Sequence, residues 1–259
     1  MPIDQPTPSE MPFLDHLEEL RWRIVKSLIA LFVCLGASFW FSYSFDILPV
    51  LVKPIAALLP DGKLNYTNPM APATILMQIS GVLGIVLASP VIGYQLWCFL
   101  SPALSLRERK VIVPVLGFAA LLFLAGIALA VFVFVPVSIE LMNNIQSSAL
   151  KPMITAEAYF GFMFFICLAF GAIFEMPIVV LILTALGLVT PAVLGKARRW
   201  AAAISLVASM VVTPGDQVVG TLILWLPIYG LYEFSIIVSW FVYRARLKRE
   251  AASESIRAE

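Results

Sequence analysis

The stretch WAAAISLVASMVVTPGDQVVGTLILWLPIYGLYEFSIIVSWFVY, residues 200–243, decides the architecture. It is apolar enough to enter a bilayer and too long for one crossing, since a hydrocarbon core about 30 Å thick is spanned by about 20 helical residues. Its one interruption is Thr213-Pro-Gly-Asp216. Proline and glycine beside a carboxylate make a turn, and non-helical backbone is costly inside lipid, so the break belongs at the membrane surface. The stretch reads as two helices joined by a tight hairpin. The first is confined between Arg199 and Pro214, leaving about 13 residues, or about 20 Å at 1.5 Å per residue. The second meets its next acid at Glu233, so it too reads as short, and such a pair thins the bilayer locally or is hydrated at one end.

Working back along the chain, four more runs are long enough to cross: residues 24–45, 73–97, 111–139 and 158–188. The fold class is therefore all-α, a polytopic membrane protein with six transmembrane helices of which the fifth and sixth are short. Residues 1–245 form a single six-span domain, and residues 246–259 a charged tail whose Ala/Ser-rich composition reads as disordered. Composition agrees. Hydrophobic residues make up 61% of the chain and charged residues 13%, with a mean hydropathy of +0.96, far too little charge to keep a soluble surface in water. Asp15, Glu18 and Glu19 precede the first run, where a cleavable signal peptide carries a basic leader, so that run is expected to be a retained span.

The few charges carry the orientation. Fourteen of the seventeen Lys and Arg residues flank the first span, lie between the second and third or the fourth and fifth, or follow the sixth. Lys53, Lys63 and Lys151 fall in the alternate loops. Under the positive-inside rule both termini and the two basic loops are cytoplasmic, in a multi-pass protein of the cell membrane. The outer loop of residues 46–71, with Pro49, Pro54, Pro60 and Pro69 among aliphatic residues, reads as short amphipathic pieces forming a cap. Residues 140–157 make a second outer segment, in which Glu140 and Glu157 merely flank spans.

Catalysis finds no support. His16 is the only histidine and lies outside the spans, and there is no H-E-x-x-H, no Walker loop and no paired intramembrane aspartate motif. Cys34, Cys98 and Cys167 are far apart without metal spacing and read as small packing residues. No cofactor is implied. The N-terminal segment Phe13–Ile24 is amphipathic, with Phe13, Leu17, Leu20 and Ile24 on one face. It reads as an interfacial helix anchoring the first span, and its acids also suit a basic partner. Glu175 is the sharpest signal. It lies near the middle of the fourth span, where an acid costs about 2.5–3.5 kcal/mol on insertion scales, and such residues are functional candidates by default.

Five motifs in order resemble the TatC family, the core membrane subunit of the twin-arginine protein translocase. They are His16-Leu-Glu-Glu-Leu-Arg21, Ser89-Pro-Val-Ile-Gly-Tyr-Gln-Leu-Trp97, Phe99-Leu-Ser-Pro-Ala-Leu104 followed by Glu108, Phe170-Gly-Ala-Ile-Phe-Glu-Met-Pro177, and Thr213-Pro-Gly-Asp216. The resemblance implies a receptor without covalent chemistry. It binds twin-arginine signal peptides of folded proteins at the cytoplasmic face and assembles small single-span subunits of the TatA/TatB type in a multi-copy complex, with transport driven by the proton-motive force. By position it implies a signal-binding set of Glu19, Arg21, Phe99, Pro102 and Glu108. A guanidinium pairs bidentately with a carboxylate in a way lysine cannot reproduce, which suits two arginines to Glu19 and Glu108. Glu175, Asp216 and Gln217 are the implied intramembrane and partner-binding positions, and Pro54 and Pro90 the structural ones. Relatives carry a polar amide where this chain has Gly220, and Gln217 is the nearby residue that could take its place. A different class of function, a small proton-coupled transporter using Glu175 as its ion site, stands as the alternative, although neither inverted repeats nor paired broken helices are visible.

Overall fold

The structure, a computed structural model, describes residues 13–59, 62–100, 112–144, 153–212 and 218–258. In chain order the elements are α1 (Phe13–Ser44), α2 (Leu48–Val52) running into a 3-10 turn (Lys53–Leu58), α3 (Ala71–Leu100) and α4 (Ile112–Leu129). A π-helical turn (Ala130–Phe134) leads to α5 (Val135–Asn144), followed by α6 (Ala156–Phe174), α7 (Met176–Ala185), α8 (Pro191–Val212) and α9 (Val218–Ala258). Among the described residues the one β-type pairing is an isolated bridge between Asn65 and Thr155.

Five segments are long and apolar enough to cross a membrane: Leu17–Ser44, Ala71–Phe99, Val115–Met142, Ala156–Ala185 and Gly220–Arg244. With α8, whose apolar part is residues 200–212, they make the six spans expected. Several boundaries differ from those read in the sequence. The amphipathic N-terminal piece is no separate interfacial helix; it forms the first turns of an uninterrupted α1, whose sequence up to Gly36 holds neither glycine nor proline. α8 starts at Pro191, capped by Thr190, whose hydroxyl accepts from Val193 N at 3.4 Å, so Lys196, Arg198 and Arg199 ride on the helix. α9 passes Glu233 without a break and runs on to Ala258, carrying the tail that composition read as disordered. The stretch after Tyr243 is rich in Arg, Lys, Glu and Ala, all strong helix formers.

Proline shapes three of the spans. Pro136 cannot donate to the helix ladder, and the turn before it widens to π geometry, Val135 N reaching back to Ala130 O. Pro177 ends α6 at Phe174 and opens α7 at Met176 with Glu175 at the joint, so the fourth span is two half-helices. Pro90 stays inside α3. Its missing N–H deprives the Val86 carbonyl of its usual partner, and the Ser89 hydroxyl donates to that oxygen instead, at 2.9 Å.

α1 packs along α3, and two glycines set how closely the spans approach. A Cβ at Gly84 would lie 2.9 Å from Leu35 Cα, and one at Gly126 would lie 2.8 Å from Phe174 Cγ and 2.9 Å from the Phe170 carbonyl oxygen. The packed interior falls into two parts. The larger gathers Ile55, Ile75, Ile79, Phe134, Phe160 and Ile166 with their neighbours, and the smaller comprises Trp97, Val115, Ala119, Ile178 and Ile182. The larger lies toward the end of the molecule covered by α2 and the 3-10 turn, called here the capped end. The smaller lies toward the end where the basic residues cluster, the basic end. Glu175 stands between them in sequence. α8 packs against α9 and has no comparable contact with any other described helix.

Candidate functional site

At the basic end, one helical turn of α1 brings Glu19 beside Arg23, whose Nε donates to Glu19 Oε1 at 3.1 Å while Nη2 reaches the same oxygen. Both side chains are mostly covered, 24% and 21% exposed, so the pair is held in place and is more than a flexible surface contact. Arg23 also lies beside Cys98 in the last turn of α3, next to Phe99. Arg23 thus links Glu19 to the last turn of α3, the turn that carries Phe99, where the start of α1 packs on the end of α3. Arg21 points away and is exposed. Pro102 and Glu108 lie outside the described residues. Arg23 was not singled out in the sequence, although i,i+4 spacing from Glu19 is the signal that finds it.

The second feature is a groove of about 290 Å³ between α3, α4 and α7, lined by Pro90, Trp97, Phe123, Glu175, Ile178 and other apolar residues. Apart from Glu175, its polar lining is limited to Ser89, already committed to Val86, and the Trp97 indole. Trp97 is only 4% exposed, and its N–H has no hydrogen-bond partner among the described residues. The break at Pro177 turns Glu175 out of the regular ladder into this groove. Among the described residues no hydrogen-bonding or charged side chain meets its carboxyl group, consistent with a chain that places no Lys, Arg or His at that depth. Pro90 therefore has a definite role, shaping the α3 wall of the groove. Pro54 opens the 3-10 turn that seats Ile55, fully buried, under the cap. Asp216 and Gln217 lie outside the described residues.

Two further acids, Glu157, read in the sequence as a flanking residue, and Glu233, read as the limit of the sixth helix, tie elements together. Glu157 Oε1 accepts from the Thr67 and Asn68 amides, both at 3.0 Å, and so ties the loop before α3 to the first turn of α6. Ala156 N to Asn65 O at 2.7 Å and Tyr159 Oη to Leu51 O at 2.7 Å fasten the same cap. Backbone amides reaching a carboxylate across such a separation in sequence leave no periodic signature, which is why Glu157 was read as a flanking residue. Glu233 lies well inside its span, where Arg198 pairs with it at 2.9 Å and the Tyr229 hydroxyl donates to it at 2.8 Å. Trp225 Nε1 donates to Ala202 O at 3.1 Å and Tyr232 Oη to Leu194 O at 2.8 Å, completing the attachment of α8 to α9. The buried hydroxyls of Thr184 and Ser239, 2.9 Å apart, join α9 to α7.

Residues 15–227 match the family described as Sec-independent protein translocase protein (TatC). The chain belongs to the TatC family. It is 38% identical over 244 residues to TatCd of Bacillus subtilis (strain 168), covering 94% of this chain and 98% of that protein. It is 34% identical over 245 residues to TatC of Aquifex aeolicus (strain VF5), covering 93% of this chain and all of that protein. A crystal structure of the twin arginine translocase receptor TatC superposes with a TM-score of 0.73 at 33% identity, covering 88% of this chain and 99% of the other. The chain is therefore a multi-pass, all-helical core subunit of a Sec-independent protein translocase and not an enzyme. Membership of the TatC family sets aside the reading as a proton-coupled transporter.

Proposed function

We propose that this TatC-family chain receives twin-arginine signal peptides at its basic, cytoplasmic end and gathers single-span TatA/TatB-type subunits along the groove that holds Glu175. The observation that carries the first part is the corner where Arg23 holds Glu19 and also reaches Cys98 in the last turn of α3. A carboxylate fixed on a helix offers an incoming guanidinium a charge and two acceptor oxygens. Because Arg23 already holds Glu19, the signal shares that carboxylate or displaces Arg23, and Glu108 supplies a second acid from the neighbouring loop. Folded substrates, a multi-copy complex and drive by the proton-motive force complete this reading.

The test is site-specific crosslinking to a twin-arginine signal peptide. Glu19→Gln is expected to weaken binding about tenfold and Glu108→Gln by ten- to a hundredfold, the loss of a charge-assisted pair worth about 1.5–3 kcal/mol. Undiminished crosslinking in both single variants and in the double variant would remove the basis for the proposal. Orientation is checked separately, by single-cysteine labelling in a background without Cys34, Cys98 and Cys167. Positions 63 and 151 are expected to be modified from outside and positions 109 and 196 from inside. Labelling of position 109 but not 151 from outside inverts the map.

A further inference from the structure

At the capped end, where α1 stops and α2 begins, a second pocket of about 300 Å³ opens among Ser42, Tyr43, Ser44, Asp46, Leu48 and Pro72, with Ile47, Leu76 and Ile79 as its apolar floor. None of its residues lines the groove at Glu175 or the corner at Glu19. Ser42 is more than nine-tenths buried, and its hydroxyl has no hydrogen-bond partner among the described residues. A helical serine can donate to the carbonyl one turn back, as Ser27, Ser80, Ser209 and Ser235 do here; Ser42, like Ser38 one turn earlier, does not, and Ser42 faces the pocket. Asp46 carries the only charge in the lining and has no ion pair among the described residues. The pocket also receives the final turn of α1, where carbonyls without intrahelical partners concentrate partial negative charge and where the helix supplies no basic residue of its own.

These groups together select the ligand. A carboxylate and a helix C-terminus offer only acceptors, and the Ser42 hydroxyl accepts as well as donates, so the guest is a cation that donates hydrogen bonds. A divalent metal ion needs several carboxylates and six or more oxygens, whereas Asp46 is alone and no cluster of metal-ligating residues exists among the described residues. A primary ammonium group, with three donors on one small cation, matches the set. The surroundings choose its carrier. Ile47 and Ile79 also line a neighbouring cavity of about 90 Å³ with Leu51, Val82 and Phe160, apolar except for Gln78, so a polar head in the first pocket has mostly hydrocarbon surface beside it. Tyr43, 74% exposed at the rim, is the amphipathic type that settles at headgroup level. We infer that the pocket formed by Ser42, Asp46 and the end of α1 is a binding site for a phospholipid with a primary-ammonium headgroup, its chain lying over Ile47 and Ile79.

The test uses the full chain in nanodiscs or mild detergent, with phosphatidylethanolamine, phosphatidylcholine and phosphatidylglycerol of identical acyl chains as probes. Lipid retention is read by native mass spectrometry and by the shift of the thermal midpoint. The ethanolamine lipid is expected to be retained about tenfold over the choline lipid, whose quaternary nitrogen has no N–H to donate, and over the glycerol lipid. Asp46→Asn is expected to abolish that preference and Ser42→Ala to reduce it severalfold. Unchanged helix content and an unchanged thermal midpoint in the choline lipid show that each variant is folded. Equal retention of ethanolamine and choline lipids by the parent chain would overturn the assignment, as would full preference in Asp46→Asn. Displacement of the lipid by free phosphoethanolamine at comparable concentration would overturn it too, since the pocket would then read a soluble amine.

Discussion

Glu175→Leu is expected to yield a chain that inserts well and assembles poorly. Removing the acid relieves the about 2.5–3.5 kcal/mol that a carboxyl group at this depth costs on insertion scales, so the leucine variant should accumulate at least as well as the parent. What it loses is the one ionisable group in a groove otherwise lined almost entirely by apolar side chains. A polar contact between helices in lipid is worth about 0.6–2 kcal/mol, so association with single-span subunits is expected to fall about three- to thirtyfold. Glu175→Gln keeps donor and acceptor and should retain most of the association and transport. Co-purification of the single-span subunits reads the outcome directly. Thiol accessibility of a cysteine placed at position 175, in a background free of the three native cysteines, reports whether the groove is wet. Full transport by the leucine variant together with complete protection of that cysteine would reduce Glu175 to a packing residue.

Gly126→Ala should be strongly damaging. The added methyl would lie 2.8 Å from Phe174 Cγ and 2.9 Å from the Phe170 carbonyl oxygen, and the second of these is backbone that cannot rotate away. Overpacking of this kind costs about 1–3 kcal/mol. The strain falls on the last turn of α6, immediately before the joint that sets Glu175, so both stability and partner binding should suffer. Gly117→Ala on the same helix is the control. A Cβ there meets nothing within 4 Å, and the exchange should be neutral or should stabilise by up to about 1 kcal/mol through helix propensity. Thermal midpoints of the two variants in mild detergent separate these cases. Equal midpoints would show that α4 and α6 have room to spread.

The span count was legible because lipid imposes a simple rule: apolar length against hydrocarbon thickness, with charge at the ends. Glu175 was legible for the same reason, as a polar group where the solvent forbids one. Helix boundaries were less so, because hydropathy reports where a helix is apolar and not where it ends. α8 and α9 extend past the apolar stretch through Lys196, Arg198 and the residues beyond Tyr243, good helix formers that hydropathy counts as breaks. Pairings across the fold were hidden. Glu157 with Thr67 and Asn68, Tyr159 with Leu51, and Arg198 with Glu233 join segments whose spacing follows no period, and each depends on how the helices stack. Arg23 was different: its i,i+4 spacing from Glu19 put the pair within reach of the sequence.

The attachment of α8 to α9 alone has a consequence for biogenesis. As the chain emerges residue by residue, α8 arrives with Lys196, Arg198 and Arg199 at one end and an apolar stretch too short to hold itself across a bilayer. Every fastening described for it comes from later in the chain: the indole of Trp225, the hydroxyl of Tyr232 and the carboxylate of Glu233. Until those residues have been synthesised, α8 has nothing to grip. The two helices must enter as one hairpin near the close of translation, and a nascent chain arrested before Trp225 should still expose α8 to the insertion machinery while the first four spans are already in place.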